Sequence, residues 1–158
     1  ALVLASMTVL PLGLFSDLRI GGVHPDITLL VAVVSGLVAG PRRGAVIGFW
    51  AGLLIDPVLP TPLGMTALVW ATVGFAAGMA EELINSHTPL GLSLFVLGGS
   101  AGGSLMYAVV GQLFGAQTLT GNDVGRVVGL ISATNALLAL PTIAVVEWAE
   151  ESRSNITR

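Results

Sequence analysis

Apolar residues in this chain come in runs rather than in alternation: Leu2–Phe15, Ile27–Ala39, Ala45–Ile55, Leu63–Ala80, Leu90–Phe114 and Val127–Val146. Short segments between the runs hold nearly all the charges and most of the prolines, the pattern of helices joined by tight turns. Period-2 alternation is absent, which argues against a barrel and for segments that satisfy their backbone groups internally. The expected fold is all-α, one domain over residues 1–158, with helices at about 1–15, 26–40, 43–57, 62–81, 89–114 and 123–148. A bilayer core of ~30 Å takes about 20 helical residues, so the last three runs are long enough to span and the second and third are short.

Composition supplies the solvent. The chain has 158 residues, mean hydropathy +0.91, 9% charged residues, no cysteine and no lysine. So little polar material does not cover a water-facing surface, and the chain reads as a polytopic integral membrane protein, a six-helix transmembrane bundle. It opens inside an apolar run with no initiator Met and no basic n-region, so the expectation is that residues precede Ala1 and that no signal peptide is cleaved. With six spans both ends share a side with Arg42 and Arg43. Arg153 and Arg158 join them, while Arg19 and Arg126 fall opposite, so the positive-inside rule predicts cytoplasmic termini.

Helix starts are signalled by Thr61-Pro62-Leu63-Gly64 and Thr88-Pro89-Leu90-Gly91, each a hydroxyl before a proline at a first helical position. Asp26 is the expected cap of the second helix, and Asn122 or Asp123 of the sixth.

Catalytic chemistry does not assemble. His24 and His87 fall in loops on opposite sides, and there is no HExxH or GxSxG. The expectation is a non-enzyme with no metal and no cofactor. Ser100, Ser104, Ser132, Thr134 and Asn135 read as hydrogen-bonding groups between or within helices. A net charge of −3 gives no basis for a nucleic-acid partner.

The most distinctive feature is a glycine every fourth residue: Gly36, Gly40, Gly44, Gly48 and Gly52, with Asp56 on the next rung. In water, three glycines inside one helix cost about 3 kcal/mol relative to alanine. In a bilayer a row of small residues lets two backbones approach, which predicts a close-packing face on the third helix. Similar pairs stand at Gly74/Gly78, Gly98/Gly102, Gly99/Gly103, Gly111/Gly115 and Gly125/Gly129. Arg42 and Arg43 at the start of that helix and Asp56 at its end carry the sign its macrodipole disfavours. The arginines fit anchoring to lipid phosphate. Asp56 is expected to accept hydrogen bonds from the turn Val58–Thr61 or to pair with a partner group.

The run Pro25 to Leu68, PDITLLVAVVSGLVAGPRRGAVIGFWAGLLIDPVLPTPLGMTAL, resembles the MreD family of the bacterial rod-shape system. The resemblance lies in the order of features: Pro-Asp entering the second helix, Gly-Pro-Arg-Arg-Gly at the turn, Gly-Phe-x-x-Gly-Leu-Leu-x-Asp along the third helix, then Pro-Leu-Gly. The positions that match are Pro25, Asp26, Pro41, Arg43, Gly44, Gly48, Phe49, Gly52, Asp56, Pro62, Leu63 and Gly64, with Arg42 beside them. It covers about a quarter of the chain specifically, and Pro57 and Pro60 depart from the family by stiffening the turn after Asp56.

The resemblance implies a fold similar to the S components of energy-coupling-factor transporters. It also implies a scaffold in the cytoplasmic membrane that binds MreC and, through it, RodA, a class B penicillin-binding protein and MreB. The rival reading is a vitamin-type solute-binding transporter subunit. A solute pocket needs convergent polar groups, and Trp50, Trp70, Tyr107, Gln112 and Asn135 read as scattered.

Overall fold

The computed structural model describes residues 26–81, 88–116 and 124–156, with side chains to 148. Within them lie five α-helices and no strand: α1 (Ile27–Ala39), α2 (Pro41–Ile55), α3 (Met65–Ala80), α4 (Pro89–Leu113) and α5 (Val124–Ile156). A 3-10 turn, Asp56–Val58, follows α2. The expected first helix, Pro25, Arg19, both histidines and the Asn122/Asp123 cap lie outside the described residues.

Each boundary has a local cause. Asp26 caps α1, its carboxylate accepting from the Leu29 amide at 3.0 Å. Gly40 alone connects α1 to α2, and its φ of +84° is a conformation that residues with a Cβ rarely adopt. Pro41 then opens α2 at the position where a missing N–H costs nothing. Thr88 caps α4, accepting from the Gly91 amide at 3.2 Å. At its other end, Gly115 (φ +80°) and Ala116 donate back to Gln112 and Gly111, closing a Schellman turn.

The expected cap at Thr61 is a correction. α3 begins at Met65, behind Gly64 in the left-handed region, and Pro62 belongs to the preceding turn. The helix is therefore 16 residues, ~24 Å long, rather than a full span. Only α4 and the part of α5 from Val124 to Trp148, 25 residues each, are long and apolar enough among the described helices to cross a bilayer. α5 continues to Ile156, eight residues past the expected 148.

The core lies where α1 meets α3, α4 and α5. Leu29, Leu30, Val33, Val34 and Leu37 of α1 pack with Val69, Trp70 and Val73 of α3, Val96 of α4, and Ala139 and Ile143 of α5. α1 and α2 form a hairpin, with α3 laid along both. Longer α4 and α5 reach beyond the three short helices at the end where α1 begins.

Candidate functional site

Three features stand out, a capped turn and a cavity at the Asp26 end and a glycine seam running between α1, α2 and α3, and each grows from a short sequence pattern.

The first is Asp56, which is 1% exposed. Its carboxylate accepts from the amides of Gly64 at 2.7 Å, Thr66 at 3.1 Å and Ala67 at 3.5 Å. These donors, rather than the expected Val58–Thr61 turn, satisfy it. The helix that matters electrostatically is α3, whose N-terminus is positive and unpaired, so the charge that α2 disfavours is the one α3 needs. Pro57 and Pro60 lie in the loop this bond closes.

The second is glycine packing. A Cβ on Gly48 would strike the Trp70 carbonyl oxygen, and one on Gly52 would lie 2.5 Å from the Ala67 Cα. A Cβ on Gly44 would lie 2.5 Å from both the Gly36 Cα and the Gly74 oxygen, and one on Gly78 would strike the Pro41 backbone. The ladder is thus a seam between α2, α1 and α3, and Gly40 interrupts it as a turn. Gly99 and Gly103 likewise pack, on Val33 and Leu29. Gly98 and Gly102 on α4, and Gly125 and Gly129 on α5, behave differently: among the described residues nothing lies within 4 Å of an added Cβ. Leu94, Gly98, Gly102, Leu105 and Val109 form one exposed stripe along α4.

The third is a cavity of about 440 Å³ between the start of α1, the α2–α3 connection, α3, α4 and the start of α5. Asp26, Thr28, Thr66, Trp70, Ser104 and Tyr107 supply its polar and aromatic lining. The Trp70 indole N–H donates to the Thr28 hydroxyl at 3.1 Å, and that hydroxyl donates to Asp26 Oδ1 at 2.7 Å. The Trp70 and Tyr107 rings stand 5.6 Å apart. Thr66, fully buried, has a hydroxyl with no hydrogen-bond partner among the described residues.

Trp70 and Tyr107, which the sequence leaves scattered, therefore meet. Trp50 is exposed on α2 beside Phe49, their rings 5.9 Å apart. Asn135 is buried, donating to Ser100 Oγ at 3.0 Å and to the Asp26 carbonyl at 3.3 Å, so it ties α5 to α4 and α1. Ser132 and Thr134 bond their own helix. Arg42 and Arg43 are exposed at the other end, and Leu63 is exposed in the turn before Gly64. Sequence reading passes over Thr28 and Thr66. The available signal for Thr28 was its place two residues after a capping Asp, within reach of the same carboxylate. No group of three His, Asp or Glu side chains comes together among the described residues.

No curated protein and no solved structure matches the chain. The family model described as rod shape-determining protein MreD matches residues 1–144, nearly the whole sequence and far more than the Pro25–Leu68 run that carries the motifs. The chain belongs to the MreD family of rod shape-determining membrane proteins.

Proposed function

We propose that the protein is a non-enzymatic scaffold of the cell-elongation complex that binds the transmembrane helix of MreC within the cytoplasmic membrane, with RodA, the class B penicillin-binding protein and MreB as indirect partners. The family match over residues 1–144 carries this reading. Its proposed topology is six membrane segments with both termini cytoplasmic, α1 to α3 being shorter than a full span, which sets Arg42 and Arg43 toward the inner headgroups and Asp26 and Asp56 on the outer side, below the outer ends of α4 and α5.

The exposed stripe of α4 is the face we assign to MreC. The glycine seam of α2 is spent on α1 and α3, so a foreign helix cannot use it. Gly98 and Gly102 sit mid-way along a helix of spanning length and leave room for a backbone to approach. Association in lipid draws on such packing rather than on hydrophobic transfer, because lipid is already apolar.

Co-expression with MreC in detergent should give a stable complex, and depletion from a rod-shaped host should yield round cells. Rods that persist without the protein would contradict the reading. The solute-binding alternative is favoured by one observation, the cavity beside Trp70. It requires that an energy-coupling module import the solute, so absence of such uptake alongside MreC binding leaves the scaffold in place.

A further inference from the structure

We infer that the cavity at the Asp26 end is a binding site for a small organic ammonium, a molecule with one apolar body and one positively charged, hydrogen-bond-donating head. Its volume of about 440 Å³ suits a single ring or short chain, within the ~300–1,000 Å³ of small-molecule sites. The walls are mostly apolar, with Ile55, Leu59, Val127 and Ile131 opposite the polar groups.

Three observations fix the chemistry of the head. Among the described residues Asp26 is the only charged one lining the cavity, and no cation pairs with it. Arg126, between the lining residues Val124 and Val127 on α5, is exposed and not part of the lining. A carboxyl group among apolar walls is costly to ionise alone, and an ammonium beside it offsets that cost, so the site takes a cation together with the carboxylate charge and disfavours an anion. Second, Thr66 is fully buried, lines the cavity and has an unpartnered hydroxyl. Buried polar groups are normally satisfied, so this hydroxyl calls for a hydrogen-bonding partner in the cavity, and an ammonium N–H supplies a donor to its oxygen. Third, Trp70 and Tyr107 line the same space, and aromatic rings attract ammonium groups, most strongly when both are desolvated. Trp70 is held in place by its bond to Thr28, so the site is organised before a ligand arrives.

The site is independent of MreC binding, since the cavity lining and the α4 stripe share no residue. The test uses the full chain in detergent with Trp50→Phe and Trp148→Phe, leaving Trp70 as the only tryptophan. Its fluorescence is titrated with 2-phenylethylammonium, with neutral 2-phenylethanol and with 3-phenylpropionate. The ammonium should give a saturable change at a concentration at least tenfold below either analogue. Asp26→Asn retains a good helix cap and should weaken ammonium binding tenfold or more, while Thr66→Val should weaken it a few-fold. No saturable response to the ammonium, or equal response to the carboxylate, overturns the inference. Those two outcomes are read on the unsubstituted cavity and need no variant to fold.

Discussion

The Asp56 carboxylate accepts a 2.7 Å hydrogen bond from the Gly64 amide, so the residue that ends α2 is the cap of α3. Sequence order hides this because the partners are eight to eleven residues apart. The bond also closes the proline-rich turn between them. A negative charge at one helix end thus has its cause in the next helix's start, where free amides concentrate positive charge.

Asp56→Ala should be strongly destabilising, by about 2–4 kcal/mol, because it leaves buried amides at the start of α3 without an acceptor. Asp56→Asn keeps one acceptor oxygen and should recover part of the loss. Thermal aggregation in detergent, followed by size exclusion, reads both. Wild-type stability in Asp56→Ala would show that the cap is not needed.

Glycines of identical spacing should separate into two classes. Gly48→Leu and Gly52→Leu drive a branched side chain into the backbone of Trp70 or Ala67 and should cost about 1–3 kcal/mol or more each. Gly98→Leu and Gly102→Leu add a side chain where none of the described residues stands within 4 Å and should leave the melting temperature of the isolated protein unchanged or raised. Equal effects at all four positions would contradict the division between internal seam and outer stripe.

The proposed topology can be read with single cysteines, since the chain has none of its own. Arg42→Cys and Ser154→Cys should be protected from an impermeant thiol reagent in intact spheroplasts. Val58→Cys, in the exposed turn after Asp56, should react. Labelling of Arg42→Cys from outside would reverse the orientation.

Legibility in the sequence follows the range of the forces. The apolar runs and the caps at Asp26 and Thr88 are local, set by side chains within a few residues, and the helices built on them start within two residues of expectation. Thr61 fails as a cap because a distant carboxylate outcompetes a nearby hydroxyl. Gly48/Gly52 and Gly98/Gly102 look alike in sequence, yet one pair is sealed by α3 and the other is open among the described residues, because spacing records a small face without recording what covers it. The cavity was illegible for the same reason. Trp70 and Thr28 are 42 residues apart, and only the packing of α3 on α1 brings them together.

The central claim, that MreC docks on the outer stripe of α4, is tested most directly by co-purifying MreC with Gly102→Leu and with the wild-type chain at matched expression. The account predicts that the wild type retains MreC and that Gly102→Leu loses most of it while eluting and melting as the wild type does. Retention of MreC by Gly102→Leu at the wild-type level would contradict it.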